Sequence, residues 1–501
     1  MNSIILSALI FSPLLGMAVL LFIPRVQENT IKLTGFLATL PALVLAGVLF
    51  IQYMLGIDPV SFSEKYSWIA LGAVKITGQT LFTIDYELGA DGFSLSMLLL
   101  TAILAVLAAA ASVHIKQSVK AYFLLFLLLE IGMLGVFAAQ NLILFFIFFE
   151  VTLIPMFFLI GKWGYLDREK AAFHYLLYNG VGSAILLIVI ILLFAMTGTS
   201  NISKLAALIQ TSDGALSQGF QLGLLLALLL AFGIKLPIVP FHTWMLKVHV
   251  EAPPSIVMLH SGILLKIGAY GMIRFGLGLF PEAFHSVSYL LIILGLVNLL
   301  YGAFLALIQH EFKRILAYSS ISHMGIVLIG LGALNEAGIQ GAIFQTVSHG
   351  FISALLFFLV GVMANRLQTT DIRELGGLAK AMPIASGFLM AAAMASLGLP
   401  GMSGFVSEFM SFLGLFHVQP ELGAIGALGL ILTAAYLLRA LLAISFGQKK
   451  REYGSPADLK WYETVPVFVL VLFIVAIGVY PNILAWPLQL PIETILQGMG
   501  G

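Results

Sequence analysis

Residues 231–271 read AFGIKLPIVPFHTWMLKVHVEAPPSIVMLHSGILLKIGAYG, and this stretch decides how the chain folds. It sets Lys235 inside an apolar run and follows it at once with Pro237 and Pro240. A second lysine, Lys266, lies in the middle of the next apolar run. A charge at the centre of a bilayer costs roughly 2.5–3.5 kcal/mol on an insertion scale, and such residues face a protein interior or a water path. Proline after a buried lysine breaks the helix ladder where the lysine sits. Helices broken at mid-membrane mark ion and substrate sites. The stretch therefore predicts two membrane helices, one of them discontinuous, around a proton or cation pathway.

The rest of the chain fits that reading. Of its 501 residues, 60% are hydrophobic and only 9% charged, with a mean hydropathy of +1.07. A soluble chain of this length needs far more charged surface, so this is a polytopic, all-α integral membrane protein. A net charge of +1 argues against nucleic-acid or acidic soluble partners. The absence of cysteine excludes disulfides, thiolate metal sites and cysteine-ligated iron–sulfur clusters on this chain, so any redox chemistry belongs to another chain. Residues 3–23 lack the basic flank and small-residue cleavage site of a signal peptide and read as the first span.

Counting apolar runs of about 20 residues predicts fourteen transmembrane helices, at roughly 3–23, 32–55, 92–113, 121–139, 141–162, 171–197, 218–240, 255–279, 286–308, 315–334, 338–364, 382–415, 422–446 and 463–488. The 382–415 run is too long for one straight crossing and carries Gly398, Pro400, Gly401 and Gly404 in its middle, so it is expected to cross as a broken helix. The 56–91 segment is the only long loop. Basic residues set the orientation. Seventeen of them fall in the loops after odd-numbered helices. Only Lys65, Lys75, Lys204 and Arg274 fall on the other face. Both termini are therefore expected outside, with the basic loops inside.

This orientation predicts an internal repeat. Helices 7 and 12 run in opposite directions, and each is interrupted by proline or glycine near an ionisable residue, Lys235 in one and Glu408 in the other. Matching interrupted helices in two inverted halves point to a transport path. The expected organisation is residues 1–120 for helices 1–3 with an outer loop, 121–280 for a first inverted unit (helices 4–8), 281–447 for a second (helices 9–13), and 448–501 for a basic inner loop, helix 14 and the C-terminus.

The candidate site residues are the ionisable groups inside these spans. Glu150 lies among phenylalanines and leucines on helix 5, and its functional reading is an ion partner for Lys235. Two unit charges about 4 Å apart attract by roughly 4 kcal/mol at an effective dielectric near 20, enough to load or release a proton as they move. Glu130 is the second buried acid of the first half, with a structural bond to a neighbouring helix as its alternative. Lys235 and Lys266 sit too deep to snorkel. His323 and His349 suit a relay because histidine titrates near working pH. Ser319, Ser320, Ser322, Thr346 and Ser348 form a polar stripe around them. Glu408 closes the second half, and His260 lies nearly two turns from Lys266. Arg439 is explained by snorkelling to the inner interface, Asp91 by a cap on helix 3, and the Gly180–Gly182 pair by close helix contact.

The stretches ELGADGFSL, FFEVTLIPMFFLIGKWG, FGIKLPIVPFHTWMLKVHVEAPPS, GILLKIGAYGMIRF, FKRILAYSSISHMG, SHGFISALLFF and GLPGMSGFVSEF occur in order along nearly the whole chain. Together they resemble the antiporter-like membrane subunits of respiratory complex I, of the NuoM type (chain 4 in mitochondria, NdhD in photosynthetic complexes). The resemblance implies a proton-translocating subunit in the membrane arm of an NADH-quinone oxidoreductase, with FMN, iron–sulfur clusters and quinone carried by partner subunits. It makes Glu150 and Lys235 a coupled pair, Lys266 the central lysine, His323 and His349 bridging histidines, Glu408 the terminal residue toward the outer exit, and Glu130 the secondary glutamate of helix 4. It assigns no role to His260. Partners would be the other membrane subunits, including neighbouring antiporter-like ones, in a bacterial inner membrane. The rival readings are a subunit of a multi-chain Na⁺/H⁺ antiporter of the Mrp type, a structural subunit with a vestigial axis, and a chain itself catalytic toward quinone.

Overall fold

The computed structural model describes residues 4–57, 62–73, 80–210, 216–448 and 456–498. Lys75, Lys449, Lys450 and Arg451, which contribute to the orientation count, lie outside the described residues. Two helices, α1 (Ile5–Phe22) and α2 (Glu28–Met54), precede an antiparallel hairpin of β1 (Glu64–Ala73) and β2 (Thr80–Leu88). Then follow α3 (Gly92–Ala111), α4 (Val119–Ala138), α5 (Leu142–Trp163), α6 (Arg168–Thr197), a short α7 (Ile202–Gln210), α8 (Gln218–Lys235) and α9 (Thr243–Glu251). The next span, Pro254–Leu277, comprises α10 (Pro254–Leu259) and α11 (Leu265–Gly271), with π turns at His260–Leu264 and Met272–Leu277. The second half holds α12 (Pro281–Ile308), α13 (Phe312–Ala333), α14 (Glu336–Leu367), α15 (Leu378–Ala381), α16 (Pro383–Ser396), α17 (Ser403–Val418) and α18 (Pro420–Ser445). The chain closes with α19 (Trp461–Val479) and α20 (Asn482–Gly498).

Among the described residues, thirteen helices are long and apolar enough to cross a membrane. The 382–415 run is the exception: it divides into the shorter apolar helices α16 and α17, as its glycines and Pro400 predict. The 218–240 run is also interrupted, with α8 ending at Lys235 itself.

Two expectations need correction. The 56–91 segment is not simply a loop, because β1 and β2 pair within it in the register Glu64↔Leu88 and Tyr66↔Tyr86. Its buried Glu64 accepts from the Leu6 and Ser7 amides at 2.7 and 3.2 Å, serving first-turn donors of α1 that have no partner within the helix. The predicted 463–488 span ends at Val479, where Pro481 stops it, and residues 482–498 form the separate helix α20.

Two helix hairpins are closed by one device. Where α5 begins and α6 has ended, Leu142 donates to the Ser200 carbonyl at 2.8 Å and Ile202 to that of Gln140 at 3.1 Å. Where α13 begins and α14 has ended, Phe312 donates to Thr370 at 2.8 Å and Ile372 to His310 at 2.9 Å. Each bridge satisfies backbone groups that helix ends leave free. The helices pack through small residues, as membrane helices do. A Cβ on Gly295 or Gly302 of α12 would lie 2.7 Å from backbone atoms of α13. Gly182 makes a comparable approach to the Ala231 carbonyl on α8, but Gly180 faces open space and makes no such contact.

Candidate proton-translocation axis

The break after Lys235 is possible because another helix answers its freed backbone. Asn298 of α12 accepts the Val239 amide at 2.8 Å and donates to the Pro237 carbonyl at 3.3 Å. Lys235 is 2% exposed, and its Nζ has no hydrogen-bond partner among the described residues. It lies instead over the rings of Phe149, at 4.9 Å, and Tyr175, at 5.6 Å, a cation–π seat. Glu150, next to Phe149, is half-buried, and its Oε1 is likewise unpartnered. The two groups act on each other electrostatically without forming an ion pair. Glu130, fully buried on α4, has no hydrogen-bond partner among the described residues for either carboxyl oxygen.

Lys266 is fully buried between the two π turns, which interrupt the regular ladder on either side of it. Its Nζ meets the Ser261 carbonyl at 2.6 Å and His349 Nδ1 at 2.7 Å. The His349 ring lies 5.3 Å from that of His323, centroid to centroid. His323 in turn stands 3.6 Å from a Glu408 oxygen. Its other contacts are Ser396 Oγ and Gln345 Nε2, both at 3.2 Å. The order along the axis is thus Lys266, His349, His323, Glu408, although His323 precedes His349 in the chain. Position along a helix does not reveal which of two facing helices presents its side chain first.

The second helix break supplies the end of this series. Ser396 is the last residue of α16. Ser403, the first residue of α17, shares a 2.7 Å hydrogen bond with Ser348, and Ser407 donates to Gln345. Gly398 has φ +77° and abuts Glu408 Oε2 so closely that a Cβ there would collide with the carboxylate. Of the polar stripe predicted along α13 and α14, only Ser348 bonds within this network. Ser320, Ser322 and Thr346 donate to backbone carbonyls, and Ser319 accepts from Tyr436.

One residue was missed. His249 on α9 is fully buried, and its Nε2 lies 2.9 Å from His260 Nδ1. His260 also packs against Trp244 and Tyr175, so the histidine pair sits beside the aromatic seat of Lys235. The signal was a histidine two residues after Lys247, in the short stretch that follows the break and reads as an inner loop. Arg439 bonds the Gln309 carbonyl at the end of α12, and Asp91 caps α3 by accepting the Ser94 amide at 2.9 Å.

Of the seven residues to which the resemblance gives a role, six, all but Glu130, fall within residues 139–433, which match the family described as "NADH:quinone oxidoreductase/Mrp antiporter, TM". The chain belongs to this family. It is 37% identical to the NADH-quinone oxidoreductase subunit M of Rhodobacter capsulatus, covering 96% of this chain and 94% of that one. It is 38% identical to the NAD(P)H-quinone oxidoreductase chain 4 of Gloeobacter violaceus, over 94% of this chain and 89% of the relative. Among solved structures it is similar to a chain of respiratory complex I from Thermus thermophilus with bound NADH, with a TM-score of 0.87 and 28% identity over 99% of this chain and 100% of that one. A chain of a membrane-bound sulfane sulfur reductase, an archaeal respiratory membrane complex, matches with a TM-score of 0.85 and 25% identity, over 97% of this chain and 77% of that one.

Proposed function

We propose that this chain is the subunit M-type, antiporter-like component of an NADH-quinone oxidoreductase membrane arm, and that it moves protons along its buried axis. Relatives that match over nearly their whole length carry oxidoreductase names, which favours this reading over the Mrp antiporter one. The observation that carries the mechanism is the series Lys266–His349–His323–Glu408, which joins the centre of the chain to the second helix break. Protons enter from the basic face and load Lys235. They pass by His260 and His249 to Lys266, cross through the two histidines, and leave past Glu408. Lys235 is held by rings rather than by a carboxylate, so a small displacement of Glu150 changes the field at its ammonium without first breaking a hydrogen bond. A neighbouring membrane subunit supplies that displacement, and quinone reduction on partner chains, which carry the FMN and iron–sulfur clusters, drives it.

The two matching backbone bridges support a pair of inverted units, helices 4–8 and 9–13 of the predicted count. Together α16 and α17 make the fourteenth crossing. The basic loops then face the cytoplasm, both termini lie outside, and the membrane is the cell's inner one. Proton pumping by the assembled complex tests the reading. Glu150→Gln and Lys235→Ala should each lose most of their pumping, and full pumping in either would sink it.

A further inference from the structure

The helix that carries Lys266 continues toward the hairpin face and meets a cluster that the proposed path does not use. Tyr270 lies one turn beyond Lys266 on the same side of the helix, about 6 Å further along its axis. Its hydroxyl shares a 2.9 Å hydrogen bond with Ser94 Oγ, donates to the Phe137 carbonyl at 3.2 Å, and accepts from Arg274 Nε at 3.3 Å. Arg274 also donates to Ser94 Oγ at 3.1 Å and pairs with Asp91. The rings of Phe93 and Tyr270 lie 5.7 and 5.5 Å from the guanidinium. Beyond this group opens a cavity of about 440 Å³ on the hairpin face, lined in part by Asp91, Arg274, Ser203, Gln210 and Thr494. The Arg274 and Asp91 side chains are 21% and 25% exposed.

Polar groups therefore run from the turn after Lys266 to an open cavity, and the question is whether a proton can follow them. A proton wire needs every member to accept at one atom and donate from another. Serine and tyrosine hydroxyls do both. A guanidinium does not: it has five donors and no acceptor, and it stays protonated. Arg274 aims those donors at both hydroxyls, and the Tyr270 proton is directed at a backbone carbonyl. Burial works against the Asp91 carboxylate, but the Arg274 guanidinium outweighs it and, with the Ser94 amide, holds the carboxyl below its ordinary range. Asp91 is therefore a fixed anion that anchors Arg274, and it does not relay protons.

We propose that Arg274, pinned by Asp91 between Phe93 and Tyr270, is a proton barrier that seals Lys266 from the hairpin-face cavity. A proton that reaches Lys266 then has only the histidine route forward and cannot slip out through the first half. The fixed positive charge adds to the block, as arginines do in pores that exclude protons and cations. This inference rests on the reading of Lys266 as a proton carrier.

The test uses the assembled complex in proteoliposomes, with electron transfer inhibited and the decay of an imposed pH gradient followed. Arg274→Ser puts a hydroxyl that both donates and accepts, and room for water, where the guanidinium stood. It should raise passive proton permeability at least about tenfold, while NADH oxidation persists once the inhibitor is removed. Arg274→Lys keeps a donor-only cation and should stay tight. Adding Lys266→Ala to Arg274→Ser should restore tightness, because the leak runs through Lys266. Should Arg274→Ser fail to assemble, Arg274→Gln carries the same test, since its amide keeps much of the packing and supplies an acceptor. An assembled, electron-transferring Arg274→Ser or Arg274→Gln complex as tight as the parent overturns the barrier. Full pumping by the Lys266→Ala single variant overturns the proposed function instead.

Discussion

The two broken helices solve one structural problem in opposite ways. At the break after α8, Asn298 satisfies the freed backbone, but Lys235 Nζ and Glu150 Oε1 have no hydrogen-bond partner among the described residues, and neither do the two oxygens of Glu130 on α4. At the break between α16 and α17, the ionisable groups have partners. Glu408 stands beside His323, His323 touches Ser396 and Gln345, and Ser348 meets Ser403. A buried charge without a partner is costly, by several kcal/mol even after relaxation. On the proposed function, the first half holds groups that respond to the field a neighbour imposes, whereas the second half holds a series of groups standing close together. On that reading one half is a switch and the other a conduit.

The sharpest way to break this division is at the residue that both halves share. Lys266→Ala should abolish pumping, a loss of at least about tenfold, because it removes the group that hydrogen-bonds His349 from the first half. Retained pumping would mean that the halves work independently. At the second break, Gly398→Ala should cost about 2 kcal/mol, from its left-handed φ and the collision with Glu408, and should depress pumping by displacing that carboxylate. A variant with the parent's thermal stability and pumping would show that the conduit tolerates a moved terminus. At the first break, Asn298→Ala leaves two backbone groups unanswered and should cost about 1–2 kcal/mol, read as a lower melting temperature of the complex. If the switch depends on charge rather than on the shape of the break, the pumping of this variant should fall less than that of Lys235→Ala.

The smallest expected effect is none at all. The folded-state carboxyl of Asp91 titrates below its ordinary value of 3.8. Its ion pair with Arg274 is therefore fully present above that value, and its contribution is lost only as pH falls through the lowered one. Passive tightness of the parent complex should stay flat from about pH 5 to pH 8. A leak that rises within that window would assign Asp91 a titrating role.

Much of this was legible in the sequence because membrane burial makes polar residues conspicuous. Lys235, Lys266, Glu150, Glu130 and Glu408 stood out against apolar runs, and proline and glycine marked both interruptions. The hairpin was less visible: β1 and β2 are joined by residues 74–79, VKITGQ, which lack the Asn-Gly or Asp-Gly pair that marks a tight hairpin. His249 escaped because it falls between the expected spans 218–240 and 255–279, beside Lys247 and Glu251, in a stretch that reads as an inner loop. The ion pair expected between Glu150 and Lys235 was a guess about side-chain reach, and the rings of Phe149 and Tyr175 take the place a carboxylate would have filled.

By itself the sequence determined the membrane class, most of the spans, both breaks and the identity of most of the buried ionisable groups. These follow from one-dimensional facts: how long an apolar run is, and what interrupts it. Only the tertiary structure decided which groups touch. It set the order Lys266, His349, His323, Glu408, joined His249 to His260, left Lys235 on aromatic rings and brought Arg274 to Asp91 across 183 residues of chain. The reason is geometric. A helix fixes the azimuth of its own side chains but not which neighbour they meet, and that is set by how the helices pack against one another.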